Sequence, residues 1–325
     1  MLRTGLNPYG LAYSLGLQGA GTSRAYLHGE GLDGFLAEAE KIGARTLELD
    51  ETWLERLDDQ QLASLRQRLE GGDMVPILAA NLDTANIERL LRLAVALDAH
   101  SICLGLTPVT GGDRAAWGAR WYELVARVRA RLADWSLRAA EHGLRLLLAS
   151  GEDFTSHELL NLCNEAGPNV GIALDTAASF SVGEAPLAFA RAVAPRVWHL
   201  RLKDCRVQST SEGYRLVRCV LGEGAVPLAE IAALFSSQSL TAVLSSAGLE
   251  ASEVRLFTPG WWRGYAPREA ETLAVCLLAA QRQGLPPEAD HRTPWERGAD
   301  AELPAYERDQ LQRSLASLKA LGLMM

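Results

Sequence analysis

The feature that most constrains this 325-residue chain is an alternation of short apolar runs with longer amphipathic segments, repeated along most of its length. The runs at Leu2–Asn7, Thr46–Asp50, Met74–Ala80, Ser101–Leu106, Leu144–Ser150, Val170–Asp175, Val197–Asp204 and Thr241–Ser246 read as strands. Between them lie helical patterns such as LDGFLAEAEKIGA, ANIERLLRLAVALDA and WGARWYELVARVRARLADWSLRAAEHG, several closed by Gly or Asp-Ala. Strand and helix in alternation imply βαβ units and a parallel sheet. Eight such units in about 250 residues fit a (β/α)8 TIM barrel. A doubly wound open sheet is the alternative, but the first strand-to-helix turn carries no GxGxxG.

No linker interrupts the repeat, so residues 1–325 read as one domain. The barrel occupies about 1–250, and a C-terminal extension of loop and helices occupies about 251–325. Its helices are expected near 268–283 and 305–321, separated by the Pro-rich GLPPEADHRTPWERG.

Charge and cysteine usage narrow the class. Forty acidic against 32 basic residues give a net charge of −8, which lacks the basic footprint of a nucleic-acid binder and opposes an anionic membrane surface. The five cysteines have irregular spacing and no CxxC, so neither a disulfide framework nor a zinc cage is expected. With no signal-like or spanning apolar segment in the sequence, the expected location is cytoplasmic.

Period two within the strands sorts the side chains into two faces. In VWHLRLKD, Trp198, Leu200 and Leu202 share one face, while His199, Arg201 and Lys203 share the other. In TLELD, Leu47 and Leu49 oppose Glu48 and Asp50. Charged residues inside a barrel are costly in a dry core and tolerable at a wet C-terminal mouth, where such barrels place function.

The stretch VGIALDTAASFSVGEAPLAFARAVAPRVWHLRLKDC, followed by LGEGAVPLAEI, resembles the xylose isomerase-like TIM barrel family of sugar and sugar-phosphate isomerases and epimerases. LRLLLASGEDFTSHELLNL is similar to the family's fifth strand and following helix, and YERDQLQRSLASLKALGL to its closing helix. The resemblance implies a mouth that holds Mn²⁺ or Mg²⁺ on Glu, Asp, His and Glu of strands five to eight. Carried over by position, Asp175 matches the strand-six Asp. Ala149 falls on the strand-five Glu, Arg201 on the strand-seven His, and Ser245 or Ser246 on the strand-eight Glu. Arginine has no lone pair to donate and stays cationic, so it excludes a metal ion. The expectation is therefore no cofactor, with an Arg201–Asp175 ion pair where relatives hold the metal.

On that reading Asp175, Arg201, Lys203 and His199 are the candidate catalytic residues. Lys203 either serves the site or pairs with Asp175 or Asp204, and His199 is either a base or a hydrogen-bonded core histidine. Glu48, Asp50, Glu152, Trp261 and Trp262 are the candidate substrate contacts. Glu48 and Asp50 hold either a substrate hydroxyl or a basic barrel residue. The aromatic group of Trp261, Trp262 and Tyr265 stacks on a sugar, covers the mouth, or makes a subunit contact. The implied ligand is a sugar, polyol or similar small polyhydroxylated compound, with no nucleic acid or membrane partner, and a homo-oligomer or partner subunit is possible. Three functions stay open. They are metal-independent isomerase, epimerase or lyase chemistry, a pseudoenzyme serving as a binding or partner subunit, and a metal-dependent enzyme with ligands shifted to Glu152, Asp175 and Glu48.

Overall fold

A computed structural model describes residues 3–245, 248–282 and 284–323. Eight parallel strands close into a barrel: β1 (Arg3–Leu6), β2 (Thr46–Asp50), β3 (Val75–Asn81), β4 (Ser101–Gly105), β5 (Arg145–Ala149), β6 (Val170–Asp175), β7 (Val197–Leu202) and β10 (Thr241–Leu244). All eight expected strands are present within a few residues. Leu2 and Ser246, the outer ends of the first and last, lie outside the described residues. β1 joins β10 through Leu6 and Leu244, and β10 joins β7 through Val243 and Arg201, which closes the ring. Around it run α1 (Gly31–Ile42), α2 (Glu51–Leu54), α3 (Asp59–Gly71), α4 (Ile87–Leu97), α5 (Arg120–Glu141), α6 (Ser156–Ala166), α7 (Pro186–Val193) and α8 (Leu228–Leu234).

The helices begin and end where local chemistry directs. Asp58 with Gln61, and Thr155 with Glu158, form reciprocal capping boxes at α3 and α6. Asn86 accepts from the Arg89 amide at the start of α4, and Asp98 closes that helix in the left-handed conformation at φ 56°. One side of each strand buries leucines against these helices: Leu47, Leu49, Leu146, Leu148, Leu200 and Leu202 belong to a single continuous core. The other side points to the barrel axis. There Ile77, Cys103, Leu147, Ala149 and Ala173 make a small apolar plug, and the charged residues lie toward the C-terminal mouth.

One element departs from expectation. The seventh strand ends at Leu202 instead of Asp204, and the chain turns into a hairpin of β8 (Cys205–Thr210) and β9 (Gly213–Arg218). β11 (Ser252–Val254) pairs antiparallel with β9 to complete a three-stranded sheet beside the mouth. The C-terminal segment is thus tied to the barrel by a strand as well as by α9 (Ala270–Gln281) and α10 (Leu303–Ala320). α10 docks through Glu307, whose buried carboxylate accepts from the Tyr13 and Ser14 amides at 2.8 and 2.9 Å. Among the described residues no helix is long and apolar enough to cross a membrane.

Candidate functional site at the barrel mouth

β2, β6 and β7 bring the charged residues together. Glu48, in the middle of β2, is fully buried and faces the axis. Its Oε1 accepts from Arg201 Nε at 2.8 Å and meets His199 Nε2 at 3.0 Å, while Asn7 Nδ2 donates to Oε2. His199 Nδ1 lies 2.7 Å from Thr241 Oγ1, so both ring nitrogens are engaged. Burial alone would push the Glu48 carboxyl up, but Arg201 and His199 outweigh it and hold the group well below the usual carboxylate range.

Asp175 ends β6 and faces Arg201 in the strand register. The expected ion pair between them does not form. Asp175 Oδ2 instead lies 2.7 Å from Lys203 Nζ, and Arg201 turns to Glu48. The reason is energetic. Glu48 is a wholly buried carboxylate, and stranding it without a cation costs several kcal/mol. Lys203 stands two residues beyond Arg201 on the same face and reaches Asp175. Thr176 Oγ1 donates to the Lys203 carbonyl at 2.6 Å and accepts from the Lys203 amide at 2.8 Å, which fixes the lysine backbone beside the aspartate. Asp204 is not its partner: that carboxylate accepts from the Gly222, Gly224 and Val226 amides and shapes the LGEG turn.

Burial raises and Lys203, then Arg218, lower the Asp175 carboxyl, and the net effect is downward. Burial brings the Lys203 ammonium below its ordinary value despite Asp175. Arg218 is not among the residues expected at the mouth, because it stands on a hairpin outside the βα repeat. It enters from the end of β9, its Nη2 lies 3.8 Å from Glu152 Oε1, and its buried Nη1 has no hydrogen-bond partner among the described residues. Gly248 makes room for it, since a Cβ there would sit 2.1 Å from the Arg218 Cγ.

The remaining expected contacts are occupied by the scaffold. Asp50 caps α2, accepting from the Thr52 amide and hydroxyl and from the Tyr9 hydroxyl. Glu152 accepts from the Gly111 amide at 2.7 Å and Ser252 Oγ at 2.6 Å, pinning β11 to the mouth. Trp261 is only 2% exposed, stacks on Tyr265 and donates to the Gly111 carbonyl, so it is part of a cap and not an open sugar platform. Trp262, half-buried, donates to the Leu256 carbonyl. Arg114, buried against Tyr265, bonds the Asp153 and Gly264 carbonyls and locks this cap to the loop before α5.

A profile of xylose isomerase-like TIM barrels matches residues 36–245. The chain belongs to the xylose isomerase-like TIM barrel family. Solved members of like fold include a D-psicose 3-epimerase from Clostridium cellulolyticum H10 with D-tagatose, at TM-score 0.57 and 15% identity over 96% of this chain and 99% of that one. The probable 3-DHS dehydratase AsbF of petrobactin synthesis from Bacillus anthracis gives 0.56 and 18%, over 75% and 92%. A xylose isomerase-like TIM barrel protein from Mycobacterium smegmatis in complex with magnesium gives 0.56 and 15%, over 86% and 98%. At these identities the likeness is one of fold. No curated protein matches the chain significantly.

The donor set at the mouth does not fit the divalent ion implied by the family resemblance. Ala149 and Arg201 supply no lone pair, Ser245 Oγ donates to Asn7 Oδ1 at 3.3 Å, and the Asp175 carboxylate is in contact with an ammonium. Ser246 lies outside the described residues. The shifted set fares no better, because Glu48 holds Arg201 and His199, Glu152 holds a loop, and among the described residues no three His, Cys, Asp or Glu side chains converge.

Proposed function

We propose that this family member acts without a metal on a sugar-like polyhydroxylated carbonyl compound, using lysine and arginine where metal-dependent members of the fold place a cation. The observation that carries this reading is the Lys203–Asp175 contact at 2.7 Å, with the Arg218 guanidinium acting on the same carboxylate: two cations bear on Asp175 at the mouth. Lys203 and Arg218 hold the carbonyl oxygen, and Asp175 takes the proton from the adjacent carbon. The C–H electron pair becomes the C=C bond of an enediolate, and its oxygen charge rests on the two cations. Return of the proton from Asp175 to the neighbouring carbon on the same face isomerises the sugar, while Lys203 protonates the former carbonyl oxygen and takes the hydroxyl proton from the carbon that becomes the new carbonyl. A carbonyl that draws Lys203 toward itself removes the main influence holding Asp175 low, so substrate binding strengthens the base.

A binding-only role is the second reading, favoured by one observation. Glu48, His199 and Arg201 satisfy one another, and Asp175 rests on Lys203, so the charges are balanced before any ligand arrives.

Exchange in D₂O with chelator present separates the two. Ketoses and aldoses, D-tagatose among them, are incubated with the protein and followed by NMR for loss of the proton beside the carbonyl. Incorporation of deuterium that disappears in Asp175→Asn supports catalysis. A ligand-dependent rise in melting temperature without exchange supports the binding role, and neither effect overturns both.

A further inference from the structure

α9 is apolar around most of its circumference, yet only Cys276 and Ala280 are buried. A helix of that composition is normally covered on all sides. Here Leu273 and Leu277 lean on the core, whereas Val275 and Leu278 stand 44% and 60% exposed. They lie on one stripe with Glu271, at spacings of four and three, and Arg282, the extended residue that caps the helix four positions beyond Leu278, stands at the end of the groove that Val275 and Leu278 line. Such spacing keeps side chains on a single helix face and is the seam of an antiparallel helix pair. Glu271 and Val275 line a cleft on one side of α9, and Val275, Leu278 and Arg282 line a groove against α7 on the other, with Leu187 and Arg191 along its edge.

The stripe is complementary to itself when reversed. A two-fold axis passing between Cys276 and Leu277 places Glu271 opposite Arg282 of a second copy and Val275 opposite its Leu278. Both apolar residues are then covered, and each carboxylate meets a guanidinium at both ends of the contact. Such a pattern suits an isologous interface, in which the same patch serves both subunits. Among the described residues neither Glu271 nor Arg282 has an ion-pair partner within the chain. We propose that this face binds a second copy of the chain, α9 antiparallel to α9, forming a two-fold dimer. A pair of short helices alone falls below the roughly 800 Å² per partner of a standard interface. The clefts flanking α9 accept the neighbour's side chains and widen the contact beyond the two helices.

Sedimentation equilibrium across the micromolar range tests this. The wild type is expected to dimerise, and Leu278→Asp to be monomeric with an unchanged circular dichroism spectrum and melting midpoint at low concentration. Glu271→Arg sets two arginines against each other at each end and weakens the dimer about tenfold or more; Arg282→Glu does the same with two acids. Combining the two substitutions reverses every pair and restores association. A wild type that stays monomeric, a dimer indifferent to Leu278→Asp, or a double variant no better than either single one overturns the proposal.

Discussion

Lys203 Nζ lies 2.7 Å from Asp175 Oδ2, and both groups are largely withdrawn from solvent, at 22% and 8% side-chain exposure. The pair is deep enough that breaking it is expensive. Lys203→Met leaves a buried carboxylate without its cation and is expected to cost about 3 kcal/mol at neutral pH. The wild-type Asp175 carboxyl is held low, so its contribution is present above the unfolded value of 3.8 and lost as pH falls through the folded value. In the variant the carboxyl rises instead, so the deficit shrinks on acidification. Urea unfolding at pH 7 and pH 4 checks both.

Glu48 is the second pivot. Glu48→Gln keeps the shape but leaves Arg201 without a counter-charge beside His199, and about 3 kcal/mol of destabilisation is expected at pH 7. Because the folded carboxyl lies below its unfolded value of 4.5, its stabilising effect exists above that value and fades below it. The variant therefore loses less stability than the wild type between pH 5 and pH 3, measured by the same unfolding.

Asp153 runs the other way. Burial pushes its carboxyl up to about 6 from 3.8, against the help of Thr107 and the Phe154 amide. A raised acid favours folding below the unfolded value and loses that contribution as pH rises through about 6. Asp153→Asn, whose amide can donate to Thr107 Oγ1 and accept from Phe154, is expected to stabilise at pH 7.5 by on the order of 2 kcal/mol and to do little at pH 4. A melting-temperature gain that is equal at both pH values would contradict this.

Gly112 holds the cap over the mouth. Its φ is +65°, and a Cβ there would sit 2.0 Å from the Ser181 carbonyl oxygen and 2.6 Å from Trp261 Cζ2. Gly112→Ala cannot be accommodated without moving that backbone, and a loss of about 3 kcal/mol is expected, read as a fall in melting midpoint of roughly 6–12 °C. Tyr265 Oη, which donates to the Gly112 carbonyl at 2.8 Å, would be displaced with it, and tryptophan fluorescence follows the change.

The barrel was legible because its strands are apolar on the helix side and carry their charges on the inward side, as in Leu47, Glu48, Leu49 and Asp50. The inward face of His199, Arg201 and Lys203 followed from period two. What sequence could not resolve was pairing. Arg201 has carboxylates on both flanks, and only the closed ring decides that Glu48 takes it while Lys203 takes Asp175. Arg218 escaped notice because CRVQSTSEGYRLVRC forms a hairpin outside the βα repeat, and eight strands were already counted. Its cue was alternation around the Ser-Glu-Gly turn. Sequence left Trp261 as a sugar platform, a cover for the mouth or a subunit contact, because exposure is a property of the cap that Gly111 and Gly112 build, not of the residue.

Metal content tests the central claim most directly. Protein purified without chelator is measured by inductively coupled plasma mass spectrometry, then titrated with Mn²⁺ while its melting is followed. Lysine and arginine in place of the metal predict less than ~0.1 equivalent bound and no shift in melting. Close to one equivalent, with a rise of several degrees that disappears in Asp175→Asn, would contradict the account and return Asp175 to the role of metal ligand.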